Sequence, residues 1–201
     1  CYMTMIDICP SGKCTACGAC LNVCGKAAIT MQEDEWGYRF PAIEVSRCVN
    51  CGLCREVCPN NRVLSYHTSR AALIAKAADV DEQKSSVSGG VVSVFSRFII
   101  RRGGVVYGCS GVDGKHVRHI RVHDEAGLDA LKGSKYVQSD IGATFRQVKK
   151  DLIIGVTVLF IGTPCQVAGL LSFLQKPYER LFTIDFVCHG VPSQRLLDEA
   201  M

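Results

Sequence analysis

The chain has 201 residues, 48% of them apolar, and a formal net charge of +4. That length holds one large domain or a small one followed by a medium one, and the lack of a concentrated basic patch gives nucleic acid no footing. The chain has thirteen cysteines and an opening, Cys1-Tyr2-Met3, that leads into no secretory apolar region, so the thiols call for a reducing compartment or bound metal and point to the cytoplasm.

Ten of the thirteen cysteines precede residue 60, and eight of these form two copies of one pattern. The first copy is Cys14-x2-Cys17-x2-Cys20-x3-Cys24 and the second is Cys48-x2-Cys51-x2-Cys54-x3-Cys58, closed by Pro59. A 4Fe-4S cubane needs four thiolates converging from different directions, and two-residue gaps let one tight loop wrap three of them around its corners. Gly18 and Gly52 follow the second cysteine of each copy, where the backbone turns sharply. Structural zinc usually takes two separated pairs, not four cysteines in eleven residues. Cys1 and Cys9 fall outside the repeat, and Cys9-Pro10 reads as an ordinary loop.

These runs, over about the first 65 residues, resemble the bacterial-type ferredoxin domain with two 4Fe-4S clusters. The resemblance implies crossed ligands: Cys14, Cys17, Cys20 and Cys58 on one cluster, and Cys48, Cys51, Cys54 and Cys24 on the other. Crossing holds the clusters side by side, so that an electron can pass between them. The chain departs from the family at Cys24-Gly25, where Cys-Pro is usual, which loosens the start of the next element without removing a ligand.

Between the runs, Ala28 to Met31 and Tyr38 to Phe40 read as short strands around a turn at Asp34 to Gly37, a hairpin covering one side of the clusters. Trp36 beside that turn reads as a packing residue. After Leu64 the pattern changes: Ala71 to Ala77 reads as a strand and Asp79 to Lys84 as a charged loop. Ser88-Gly89-Gly90 opens an apolar helix from Val91 to Arg102, with basic residues at the end where they suit the helix dipole. Val105 to Ser110 and His116 to His123 read as a strand pair turning at Asp113-Gly114, followed by a short helix from Asp124 to Leu131. Then come a helix from Gly142 to Leu152, a strand from Val156 to Ile161, a helix from Pro164 to Leu174, a strand from Leu181 to Val187 and a helix starting near Pro192. This alternation predicts an α+β ferredoxin-like module over residues 1–65 followed by an α/β domain with a mixed sheet over residues 66–201.

Leu152 to Gln175 carries no charge and is long enough to cross a bilayer, but Gly162-Thr163-Pro164 splits it into a strand and a helix, so no membrane span is expected. Opening at Cys1 and stopping at Met201 inside a predicted helix reads as a fragment of a longer protein.

Three turns carry candidate chemistry. The free N–H groups and positive dipole end at Ser88-Gly89-Gly90 suit a phosphate, the plain alternative being an ordinary cap with permissive glycines. Thr163 and Pro164 begin a helix whose first turn holds Cys165, and the dipole there favours a thiolate as metal ligand or reactive group. Cys188-His189-Gly190 follows the next strand; with parallel strands, both segments border one crevice at strand carboxyl ends. Taken singly, each cysteine reads as a small buried apolar residue.

These segments, with Gly133-Ser134-Lys135-Tyr136-Val137-Gln138-Ser139, resemble in the same order the coenzyme F-420 hydrogenase/dehydrogenase beta-subunit family from about Ser85 onward. The resemblance implies an iron-sulfur flavoprotein oxidoreductase that passes electrons between clusters, FAD and a two-electron partner such as a deazaflavin coenzyme. Clusters carry single electrons whereas a flavin can deliver a pair as hydride, which is the use of combining them. It also implies that Ser88, Gly89, Gly90, Lys135, Tyr136, Thr163, Pro164, Cys165, Cys188 and His189 line the flavin or coenzyme site, with Lys135 on a phosphate or acidic tail. The path is completed by an electron donor or acceptor, either a separate protein or a subunit. Two other classes fit the residues: a non-catalytic electron-relay subunit whose second domain docks a partner, and a redox sensor using Cys165 and Cys188.

Overall fold

The computed structural model describes residues 7–10, 12–62, 68–111 and 116–200. Cys1, the expected boundary at residue 65 and the Asp113-Gly114 turn lie outside them.

The two cysteine runs fold alike because they share a backbone demand. In each, the residue before the second cysteine and the glycine after it both take left-handed φ: Ala16 (51°) and Gly18 (79°), then Asn50 (54°) and Gly52 (76°). Glycine meets this without strain, whereas a residue with a Cβ there costs roughly 1–2 kcal/mol, which Ala16 bears. Each glycine then caps a helix of little more than one turn that carries the third cysteine, α1 (Ala19–Val23) and α2 (Leu53–Glu56). Pro59 follows at the first position of a 3-10 turn, Pro59–Asn61. The hairpin between the runs pairs β1 (Ile29–Glu33) with β2 (Arg39–Ile43), Ile29 opposite Ile43. Asp34 closes its turn by accepting from the N–H groups of Trp36 (2.9 Å) and Tyr38 (2.8 Å).

The remainder is built on a four-stranded mixed sheet of β3 (Val105–Gly111), β4 (Val117–Val122), β5 (Val158–Gly162) and β6 (Leu181–Asp185). The order is β4-β3-β5-β6, with β3 antiparallel to β4 and parallel to β5, and β5 parallel to β6. Alternate side chains of the central strands feed opposite cores. Val105, Tyr107, Val158 and Phe160 pack with Phe145 and Val148 of α5 (Thr144–Ile153) and Leu170 and Phe173 of α6 (Pro164–Leu174). On the other face Val106 and Leu159 pack with Ile99 and Ile100 of α4 (Val91–Ile100) and with Leu128 of a 3-10 segment, Ala126–Leu131. A last helix, α7 (Gln194–Ala200), returns to the hairpin, where Ser193 donates its hydroxyl to Trp36 O (2.5 Å) and Arg195 donates to Glu35 O (2.8 Å).

The cysteine-rich segment and the sheet share one core. Cys17, Ala19 and Val57 are buried in the cluster that holds Phe145, Val167 and Leu170. Arg146 of α5 donates to three carbonyls at the C-terminal end of α1, Leu21 O (2.9 Å), Asn22 O (2.6 Å) and Cys24 O (2.8 Å), while Asn22 donates back to Gly142 O (2.8 Å). A short helix leaves its last carbonyls unpaired, and one guanidinium from 122 to 125 residues away satisfies them.

Two expected elements differ. Residues 71–77 form no strand among the described residues: Leu73 and Ile74 are exposed, and the segment is tied at Ala77, whose N–H donates to Gly89 O (2.6 Å). The expected charged loop is instead α3 (Val80–Lys84), because Asp79 caps it by accepting from Asp81 N and Glu82 N, both 2.9 Å, with acidic residues in its first turn. No helix is long and apolar enough to cross a membrane among the described residues.

Candidate functional site

The eight cysteines of the two runs line two separate cavities. One is bordered by Cys14, Cys17, Cys20 and Cys58, with Cys9 as a fifth thiol. The other is bordered by Cys24, Cys48, Cys51 and Cys54. The last cysteine of each run therefore faces the cavity of the other run. The hairpin roofs both, with Met31 and Pro41 over the first and Ile29 and Ile43 over the second.

The donor chemistry fits iron-sulfur clusters. Burial first, then the charges of neighbouring cysteines, pushes the Cys17 thiol up to about 11 and the Cys20 thiol up to about 12, and burial also raises Cys14 and Cys54. Four bare thiolates cannot share so dry a space, whereas iron supplies the positive charge that offsets their mutual repulsion. Backbone N–H groups already point at sulfur, from Ala28 to Cys24 (3.3 Å) and from Asn50 to Cys48 (3.4 Å). Among the described residues no three His, Cys, Asp or Glu side chains close on one point as a single metal ion needs.

A third cavity, of about 590 Å³, lies on the α4 face of the sheet. Its size suits a small-molecule ligand. Ser88, Gly89, Gly90, Lys135 and Tyr136 all line it, and so do Cys109, Lys132, Ile161 and Phe186. Gly90 has φ 74° and caps α4; a Cβ there would meet Ala77 at 3.2 Å, so this glycine also serves packing. Lys135 donates its Nζ to Leu131 O (2.9 Å) and Lys132 O (2.6 Å), and burial holds its pKa below the usual lysine value. Lys132 is neutralised by Glu82 (3.1 Å) and Asp129 (3.1 Å). Glu82, itself buried, also binds Arg97 (2.9 Å). The adjacent Ser93 hydroxyl, without closing a well-formed hydrogen bond, together with Lys132 and Arg97 holds the Glu82 carboxyl down at about 2.

Thr163, Pro164, Cys165, Cys188 and His189 do not line that cavity. Cys165 stands near enough to Cys17 for their charges to interact, and its hydroxyl neighbour Thr163 lies 3.1 Å from its sulfur. One turn later Gly169 presses on Cys17, where an added Cβ would come within 3.0 Å of both Cys17 Cβ and Sγ. The expected single crevice is thus divided. Ile161 of β5 turns toward the large cavity, whereas α6 packs on the opposite face, against the first cysteine cavity. Cys188 and His189 follow the end of β6, half-buried and exposed respectively.

A buried polar chain joins the two sides. Gln166 Oε1 accepts from Thr163 N (3.0 Å), its Nε2 donates to Ser139 Oγ (2.9 Å), and Ser139 Oγ meets His119 Nδ1 (2.8 Å). His119 Nε2 lies 2.9 Å from Ile161 O, which only accepts, so the ring carries its proton on Nε2 and takes the Ser139 hydroxyl on Nδ1. Burial lowers His119 to about 4 and keeps it neutral, stacked on Phe160 at 5.2 Å. Cys109, opposite His119 in the β3–β4 register, sits where the large cavity meets this chain, its thiol raised by burial and lowered by Lys135 and Ser139. Sequence reasoning passes over Cys109 and His119, because nothing local marks two residues that meet only through strand register.

Comparison with known proteins finds similarity at both ends of the chain. The 4Fe-4S dicluster domain family matches residues 13–62, and the family described as the C terminus of the coenzyme F420 hydrogenase/dehydrogenase beta subunit matches residues 155–201. Over 189 residues, 92% of this chain, it is 26% identical to a coenzyme F420-dependent sulfite reductase of Methanocaldococcus jannaschii. Over 52 residues, 26% of this chain, it is 40% identical to an uncharacterised ferredoxin of the same organism. The chain spans 29% of the length of the first relative and 66% of the second. The chain is therefore similar to a 4Fe-4S dicluster domain over residues 13–62 and to the C terminus of the coenzyme F420 hydrogenase/dehydrogenase beta subunit over residues 155–201.

Proposed function

We propose that this chain is an iron-sulfur oxidoreductase unit that passes electrons between two 4Fe-4S clusters and a flavin or deazaflavin coenzyme. The observation that carries this reading is that the first of the two thiol-lined cavities abuts α6 on one face of the sheet while a ligand-sized cavity lies on the other, with a buried polar chain from Thr163 to Ile161 between them. Residues 1–65 form the cluster domain in this reading and residues 66–201 belong to the coenzyme domain. Cys14, Cys17, Cys20 and Cys58 hold one cluster, and Cys24, Cys48, Cys51 and Cys54 the other. When bound, a flavin or deazaflavin supplies the two-electron hydride chemistry that clusters lack.

The chain's own residues do the rest. Free N–H groups at the start of α4, beside Ser88, Gly89 and Gly90, receive a phosphate, and Lys135 faces the coenzyme's acidic part across the same cavity. Thr163, Pro164 and Cys165 close the gap between the first cluster and the sheet, which makes them relay packing and not coenzyme lining. Cys188 and His189 stand at the sheet's carboxyl end, where a subunit or separate protein exchanging electrons would approach. The reducing cytoplasm suits clusters held by thiols. A second reading, a relay subunit that only docks its partner, is favoured by the exposed apolar residues Val94, Phe95 and Phe98 on α4.

The deciding experiment is anaerobic reconstitution with iron, sulfide and either FAD or a deazaflavin, followed by cofactor analysis. About eight iron, about eight sulfide and one coenzyme per chain are expected. Clusters with no coenzyme at saturating concentrations would leave the relay reading.

A further inference from the structure

The first cysteine cavity holds one thiol more than a cubane needs, and the second does not. The extra thiol is Cys9, and its position is built. Two consecutive asparagines just after Cys58 pin the segment that carries it. Asn60 donates Nδ2 to Lys13 O (2.6 Å) and lies 3.7 Å from the Cys9 sulfur, while Asn61 donates Nδ2 to Ile8 O (2.8 Å). Ile8 is itself buried against Cys20 and Ile29, so the residue before Cys9 is anchored in the wall of the cavity. The Cys9 thiol is close enough to Cys58 and Cys14 for their charges to interact.

We propose that Cys9 is a standby ligand for the iron that Cys58 holds. This rests on the reading that a 4Fe-4S cluster occupies the first cavity. When the Cys58 sulfur is lost, the Cys9 thiol gives its proton to solvent and its sulfur takes the vacated coordination position on the same iron, with no change in oxidation state. Among the described residues the loop is held by asparagine side chains, the buried Ile8 and one backbone bond from Lys13 N to Pro10 O (3.1 Å), contacts that leave Cys9 able to move the short distance this needs. Cys24, the corresponding last cysteine of the other run, has no fifth thiol beside it among the described residues, so the two clusters differ in what their fourth ligand can survive.

The test compares four proteins after anaerobic reconstitution: wild type, Cys58→Ala, Cys24→Ala and the double variant Cys9→Ser/Cys58→Ala. Cys58→Ala should keep about eight iron with an altered electron paramagnetic resonance signal from one cluster, while Cys24→Ala and the double variant should fall to about four. Iodoacetamide labelling reads the same event in the loaded proteins: Cys9 is alkylated in wild type and protected in Cys58→Ala. The proposal is overturned if Cys58→Ala loses as much iron as the double variant, or if Cys9 is still alkylated in Cys58→Ala. Failure of wild type itself to take up iron and sulfide would sink the cluster assignment, a different result from either.

Discussion

Gly169→Ala is the substitution that tests the seam between cluster and sheet. Gly169 is buried in α6, and a Cβ there would stand 3.0 Å from Cys17 Cβ and from Cys17 Sγ, with Cys17 O at 3.4 Å. Two effects oppose each other. Alanine in a helix interior is favoured over glycine by about 1 kcal/mol, whereas overpacking by one methyl costs about 1–3 kcal/mol. Without a cluster, the Cys17 side chain can give by a few tenths of an ångström, so the two nearly cancel. With a cluster the sulfur is fixed, and roughly 2 kcal/mol falls on the first cluster alone, equivalent to about 30-fold weaker retention. Iron release to a chelator, followed by the loss of each cluster's paramagnetic signal, measures this. The first cluster should be lost faster while the second keeps its wild-type rate and the cluster-free chain melts within about 1 kcal/mol of wild type. Equal loss from both clusters, or from neither, would refute the claim that α6 bears on Cys17 in the loaded protein.

Acid should act through two buried groups. Glu82, held down at about 2, and His119, lowered to about 4, both bind fewer protons folded than unfolded. Their contribution is therefore present above about pH 6.5 and is lost stepwise, His119 between about 6.5 and 4 and Glu82 between about 4.5 and 2. Each shift is equivalent to about 3 kcal/mol as an upper figure, so Glu82→Gln should flatten the lower part of a stability profile measured by denaturant unfolding. Lys135→Ala should weaken binding of an acidic coenzyme several-fold by titration calorimetry, an effect reduced by salt, and leave cluster spectra unchanged. Cluster assembly at pH 7 should release about one proton per ligating thiol, since burial keeps thiols such as Cys17 and Cys20 protonated before iron arrives; a pH-stat trace without proton release would contradict that.

What could be read from the chain follows the range of the forces involved. The cysteine spacing and the glycines Gly18 and Gly52 act within a few residues, and α6 announces itself through Thr163-Pro164 at its start, so these are legible. The helix α3 carries its own signal in Asp79 yet reads as a loop, because its five residues are too few to show a period. Residues 71–77 have strand composition but no ladder partner among the described residues, and composition alone cannot supply one. The division of the expected crevice is hidden for a different reason. Which face of the sheet α6 covers depends on Arg146 capping α1 and on Gly169 meeting Cys17, contacts between residues more than 120 apart.

The most direct measurement is electron transfer within the loaded protein. Dithionite-reduced protein, freed of excess reductant and mixed anaerobically with oxidised FAD or deazaflavin in a stopped-flow spectrometer, should show cluster reoxidation and coenzyme reduction with the same rate constant and two cluster electrons consumed per coenzyme. Clusters that stay reduced while the coenzyme is bound would contradict the electron path proposed between the cysteine cavities and the cavity lined by Gly90 and Lys135.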